Sequence, residues 1–353
     1  GFTDLVFIDP IGTGYSRALV DDKQATKDFY STDADIKYLS RIMYDWLVKN
    51  GRMDSRKYYV GESYGGFRGP RITAYMQTRL GVAMSGVILI SPYLDPGAWS
   101  DNTVSPLPWM ITLPSIAAAY LEREGRLSAA AMAPIIAYTR GEYATTLMKG
   151  RSDPAATEAM IKKVTALTGL DPVFVERSGG RIETQAYLRE VYRAEGRLGS
   201  RYDSNVTAWD PFPYAPHQET GDPILSSIIA PTTTAMVHFV TQTVGWKAEG
   251  GYHALNYQVN RLWHQDDDAR DGSVRQLRQA VANDANLRVL IAHGWTDLSC
   301  PFMVSVLAVD QMPAMGDPTR VQVKEYPGGH MFYSRADSQT LLTADVEKLY
   351  GLH

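Results

Sequence analysis

A β-rich run, Tyr58-Tyr59-Val60, breaks at Gly61-Glu62-Ser63-Tyr64-Gly65-Gly66 just before helix-compatible sequence. A Gly-x-Ser-x-Gly pattern at a strand end can turn the chain sharply enough to lift the serine hydroxyl clear of a sheet. Glycine on both sides permits that bend. Ser63 is therefore a candidate nucleophile. The pattern is common enough to need support from elsewhere in the chain.

Support would be a base and an orienting acid further along, because a serine hydroxyl is barely nucleophilic until a histidine can take its proton. Leu287-Arg288-Val289-Leu290-Ile291-Ala292 reads as a buried parallel strand running into His293-Gly294-Trp295-Thr296-Asp297. Val321 to Tyr326 alternates like a second strand, and Pro327-Gly328-Gly329-His330 follows it as a loop. Asp297 and His330 thus each sit just past a strand, in the order Ser, acid, His. Taken singly, each has an ordinary reading as a turn or loop residue. His293 lies four residues before Asp297, too early for that order, and is read as structural.

Asp9-Pro10-Ile11-Gly12-Thr13-Gly14-Tyr15-Ser16, Gly61-Glu62-Ser63-Tyr64-Gly65-Gly66, Asp297-Leu298-Ser299-Cys300 and Gly329-His330-Met331 occur in succession. Together they resemble the signatures of the serine carboxypeptidase family. The similarity is carried by the flanks, about 4 to 95 and 287 to 335. In the middle, Arg201-Tyr202-Asp203-Ser204 resembles a segment of bacterial members. The resemblance implies an α/β-hydrolase fold, a mostly parallel sheet with a large helical cap insertion, and hydrolysis of C-terminal peptide bonds through an acyl-enzyme. Ser63 would be the nucleophile, His330 the base and Asp297 its orienting acid. The Tyr64 amide would serve the oxyanion hole, and Glu62 would bind the substrate's terminal carboxylate. Cys300 and the Tyr64 ring match positions lining the pocket before the scissile bond, and Met331 one lining the leaving-residue pocket. Cys300 as a buried thiol and Met331 as core packing are the alternatives. The peptide substrate would carry a free C-terminus, with no cofactor and no metal required. A secreted or periplasmic location is the matching expectation.

The family's Trp-Asn-Gly-Gly-Pro-Gly signature, upstream of the Asp-x-x-Gly-Thr-Gly segment, is not in these 353 residues. A missing N-terminal segment or a companion chain is expected to supply those strands, since an uncovered sheet edge invites pairing. An acyltransferase or esterase with the same triad, or a non-catalytic binding protein of this fold, would carry nearly the same motifs.

Helical periodicity organises the rest. Leu5 to Ile8 reads as a strand. Thr32-Asp33-Ala34-Asp35 reads as a capping box opening a helix with Ile36, Leu39, Met43 and Trp46 on one face, stopped by Asn50-Gly51. Helical segments are expected at 114–124, 128–138, 153–168, 184–195 and 231–244. The chain divides into core residues 1–96, a cap at 97–286 and core residues 287–353.

Other motifs carry little. Gly12-Thr13-Gly14 cannot complete a dinucleotide loop, because Arg17 stands at the sixth position. His264-Gln265-Asp266-Asp267-Asp268 with Asp271 lacks metal-ligand spacing. Asn205-Val206-Thr207 is a glycosylation acceptor only in a glycosylating pathway. A net charge of -4 leaves no footprint for nucleic acid. The single cysteine excludes an intrachain disulfide, and no apolar stretch is read as approaching the ~20 residues of a membrane span.

Overall fold

The computed structural model describes residues 2–99, 104–247, 249–264 and 272–352. Of the acidic stretch from His264 to Asp271, residues 265–271 lie outside them. The chain gathers into two compact units. One comprises Gly1–Ser55, Tyr75–Val82 and Leu225–Arg270; the other comprises Arg56–Ala74, Ala83–Ile224 and Asp271–His353.

The second unit holds a parallel sheet of β1 (Tyr58–Glu62), β2 (Gly86–Ile90), β5 (Arg288–Gly294) and β6 (Val321–Tyr326), in that spatial order. Its central strands are continuous apolar runs. Val87, Ile88 and Leu89 of β2 and Val289 to Ala292 of β5 are all buried, as expected of strands covered on both faces. Register aligns Glu62, Ile90 and Ala292 across the sheet, with Gly294 opposite Tyr326. The loops after all four strands therefore leave from one end. A short antiparallel hairpin, β3 (Arg197–Gly199) with β4 (Thr207–Trp209), is joined by residues 200–206.

Helices Phe302–Asp310 and Ala336–Tyr350 pack against the sheet, and Leu107–Arg123 packs on Phe302–Asp310, Ala129–Tyr138 and Pro154–Thr168. One apolar cluster centres on Leu113, Ile116, Tyr143, Val164 and Tyr187 and takes in Leu298. A second combines Ile111, Ala117 and Met132 with Trp295 and Phe302, whose rings meet edge to face at 4.9 Å. Trp295 and Leu298 thus anchor the loop after β5 into two different clusters. Burying Leu298 alone contributes about 1.5–3 kcal/mol.

Two helices begin earlier than proline punctuation suggests. Pro114 and Pro231 lie inside Leu107–Arg123 and Pro223–His238 rather than opening them. A proline costs a helix one donor and some crowding but does not end it where packing or the flanking turns hold. The run Pro223–Thr243 also corrects the expectation that no stretch nears a membrane span. It is 21 residues of mean hydropathy 1.4, none of its most apolar window buried, and passes by length and composition. Its serines and threonines interrupt the apolar letters without lowering that average enough.

In the first unit, the helix Thr32–Lys49 forms with Ile36 and Leu39 buried and Met43 and Trp46 half-buried. Its cap is Ser31 rather than Thr32: Ser31 has extended backbone and accepts the Ala34 N–H, while Thr32 is already helical. Asn50 and left-handed Gly51 end it. Leu5 to Ile8 forms no strand. No neighbour pairs with it among the described residues, and a strand exists only through its ladder; Leu5 and Phe7 stand 70% and 88% exposed. Gly12 and Gly14 belong to a turn in which Thr13 N–H donates to Pro10 carbonyl and Asp9 Oδ2 accepts the Tyr15 N–H.

Candidate active site

β1 delivers Ser63 to the carboxyl end of the sheet and the helix Tyr64–Tyr75 begins immediately after it. Ser63 sits at φ +55°, a left-handed conformation that costs a non-glycine residue on the order of 1–3 kcal/mol. Neighbouring structure holds it there. Its N–H donates to Ile90 carbonyl at 3.0 Å, and its carbonyl accepts from Gly66, Phe67 and Tyr93 N–H groups. Gly61 is required, because a Cβ there would collide with the Gly65 carbonyl. This is the sharp strand-to-helix turn that the sequence pattern implied.

β5 and β6 deliver the other two residues. Asp297 is fully buried, and its Oδ2 lies 2.8 Å from His330 Nδ1. Its Oδ1 accepts the N–H groups of Ser299 at 2.7 Å and Cys300 at 3.0 Å. A carboxylate so satisfied is held fixed. Burial acts to lower the His330 pKa, but Asp297, by charge and hydrogen bond, holds the imidazole well above its ordinary value. The loop beneath is close-packed: a Cβ at Gly294 would strike the carbonyls of Gly328 and Gly329. Ser91, after β2 at φ +42°, donates through Oγ to the His330 carbonyl at 2.7 Å.

His293 plays no part in that pair. It is fully buried within β5 with Nε2 2.8 Å from Ser305 Oγ, and burial pulls its pKa down to about 4, leaving a neutral ring.

Glu62 is half-buried beside Ser63, and its Oε2 accepts from Tyr333 Oη at 2.7 Å. Burial raises its pKa; the Tyr333 hydrogen bond and the charge of His330 oppose that rise without cancelling it. Cys300 is 2% exposed, and burial pushes its thiol up while His330 pulls it down. The Tyr64 ring stacks on Phe67 at 5.2 Å, with the Arg68 guanidinium 5.1 Å from its centre. Met331 is half-buried at the start of the turn Phe332–Ser334. Ser63, Tyr64, Glu62, Asp297, Cys300, His330 and Met331 therefore all lie at or just past the carboxyl ends of β1, β5 and β6. Among the described residues no cluster of His, Cys, Asp or Glu is arranged to hold a metal.

Several neighbours carried no sequence signal for a role here. Tyr333 could have been noticed only as a hydroxyl one short turn beyond His330. The Tyr202 ring meets the His330 ring edge to face at 5.2 Å. Asn205 is occupied rather than open to glycosylation: its amide donates to Ala119 carbonyl and Glu122 Oε2, and its oxygen accepts from Arg123 and Tyr192.

No curated protein matches the chain. Among solved structures, one described as "Crystal structure of VinJ" aligns over 93% of this chain and 75% of its own at 10% identity, with a TM-score of 0.34, too low to argue from. The family model for serine carboxypeptidases matches residues 2–343. With a mostly parallel sheet presenting a serine turn and a buried Asp–His pair at one end, this chain belongs to the serine carboxypeptidase family, whose fold is the α/β-hydrolase fold.

Proposed function

We propose that the protein is a serine carboxypeptidase that releases C-terminal residues through an acyl-enzyme. The observation that carries this reading is the buried 2.8 Å His330–Asp297 bond at the same sheet end as the strained Ser63 turn. In the reading, Ser63 Oγ attacks the scissile carbonyl carbon as His330 Nε2 accepts its proton. Asp297 stabilises the imidazolium and fixes the tautomer with Nε2 free to act. The carbonyl oxygen becomes an oxyanion that receives the Tyr64 N–H, the first of the following helix; one such donor contributes about 10²- to 10³-fold. Collapse breaks the C–N bond, and His330 returns the proton to the departing amine. Water then repeats the sequence on the acyl-Ser63 ester.

Glu62 gives the carboxypeptidase its end-recognition in this reading. A buried carboxyl that keeps its proton can donate to the substrate's terminal carboxylate, whereas an ionised one would repel it. Cys300 beside His330 would line the pocket before the scissile bond and Met331 the pocket for the released residue. The insertion 97–286 would act as a helical cap on a core of 1–96 and 287–353. Release of a free amino acid from an N-blocked dipeptide tests the proposal. Hydrolysis of simple esters without peptide cleavage would favour an esterase or acyltransferase, and inertness toward both would favour a binding protein.

A further inference from the structure

The hairpin connection 200–206 contributes no reacting group to that mechanism, yet it is joined to both loops of the Asp–His pair. Arg201 carbonyl accepts the Leu298 N–H at 3.0 Å, Tyr202 carbonyl accepts the His330 N–H at 2.5 Å, and Ser204 N–H donates to Thr296 carbonyl at 3.5 Å. The Asp203 side chain closes the junction. It is 7% exposed; Oδ1 accepts from Thr296 Oγ1 at 3.0 Å, and Oδ2 accepts from Arg335 Nη2 at 2.6 Å. Thr296 immediately precedes Asp297, and Arg335 ends the turn that follows His330. Arg335 is braced in turn by Glu122, Nη1 to Oε1 at 2.6 Å.

Exposed ion pairs do little for stability. Here a buried carboxylate would be left without its cation if the pair were cut, and the cut falls between two loops whose relative position sets the His330–Asp297 bond. We propose that the Asp203–Arg335 ion pair is a positioning device for His330 and Asp297, locking the acid loop to the histidine loop. The proposal rests on the reading of those two residues as base and orienting acid. Neither Asp203 nor Arg335 is assigned a contact with substrate. Misplacement of reacting groups by about 1 Å costs on the order of 10²-fold in rate, so the lock acts on turnover rather than on binding.

The test replaces the charge while keeping the shape. Asp203→Asn retains an oxygen for Thr296 but not the ion pair. Rates are referred to active sites counted by organophosphonate labelling of Ser63. Turnover on both a blocked dipeptide and an ester is expected to fall by about 10- to 100-fold, with KM changed less than about threefold. A loosened Asp297 contact favours the imidazolium less, so the His330 pKa falls and the acid limb of kcat/KM moves to lower pH. Arg335→Ala should show the same shift and be rescued at least severalfold by millimolar methylguanidinium but not by methylammonium. A lowered unfolding midpoint with per-site turnover, acid limb and rescue all unaffected would overturn the proposal and leave a merely structural pair. Proton NMR separates this from failure of the carboxypeptidase reading. The low-field His330 Nδ1–H resonance should shift in Asp203→Asn and Arg335→Lys even if no peptide is cleaved, and an unmoved resonance in both counts against the lock.

Discussion

Tyr333 donates its hydroxyl to Glu62 Oε2 at 2.7 Å, tying the residue beside the candidate nucleophile to the turn that follows the candidate base. The bond orients a half-buried carboxyl through one of its two oxygens. Burial holds the Glu62 proton to higher pH than an ordinary carboxyl would keep it, and a substrate carboxylate arriving beside it would raise that pKa further. Rising pH therefore removes the proton that lets Glu62 donate, so kcat/KM on free-ended peptides should fall on the basic side. Glu62→Gln cannot ionise and should flatten that fall, while costing peptides more than esters. Gln matches the protonated Glu62 that this reading requires at the pH where His330 titrates, so the acid limb of the ester profile should stay in place. Equal losses on both substrates, with an unchanged basic limb, would reduce Glu62 to bracing the turn.

Tyr333→Phe probes the same contact from the other side. The Tyr333 hydrogen bond stabilises charged Glu62 and opposes the rise in its pKa. Removing the bond should raise the pKa further, so Glu62 keeps its proton longer and the basic limb of peptide hydrolysis moves to higher pH. Lost orientation should also raise peptide KM severalfold and leave ester KM nearly unchanged. A limb that moves to lower pH, or not at all, would contradict this reading of the pair.

Ser63 should be the single residue labelled by an organophosphonate, because its strained turn presents the hydroxyl where the fold presents a nucleophile. Ser63→Ala should lose roughly 10³-fold or more in turnover, and His330→Ala should lose a similar factor. The double variant should be no worse than either, since the two act as a unit. Losses that multiply, measured as kcat on one ester, would mean the residues work independently.

Much of this site could be read in the chain, for a physical reason. A tight turn needs glycines at fixed offsets, so Gly61, Ser63 and Gly65 announce their geometry locally. Likewise the apolar runs of β2 and β5 identify covered parallel strands, and the residues just past such strands converge at one sheet end whatever lies between them. Tyr333, Arg335 and Ser91 announce nothing, and Asp203 announces only a family likeness, because their roles depend on partners up to 271 residues away. The failed strand at Leu5 to Ile8 shows the same limit: apolar alternation states a preference, and only a neighbouring strand converts it into a ladder. At 114 packing overrides proline's preference for the first helical turn, whereas at 231 the helix runs on although its most apolar window is unburied. At Ser31, two adjacent hydroxyl residues could both cap, and the backbone conformation decided between them.

Ser91 offers a test in which two effects oppose each other. Its Oγ satisfies the buried His330 carbonyl at 2.7 Å, yet its backbone sits at φ +42°, where a side chain is strained. Ser91→Ala loses the hydrogen bond and keeps the strain, so it should destabilise by about 1–3 kcal/mol, the cost of an unpaired buried polar group. Ser91→Gly loses the same bond but relieves the strain, which offsets up to about 1 kcal/mol. The glycine variant should therefore unfold at a higher urea concentration than the alanine variant and below the parent. Because both leave the His330 carbonyl without its donor, both should lower turnover by a similar factor, on the order of tenfold if the loop shifts by a fraction of an ångström. An alanine variant as stable as the glycine one would mean that the left-handed backbone at Ser91 relaxes at no cost, and unchanged turnover in both would mean that the loop after β2 does not hold His330 in place.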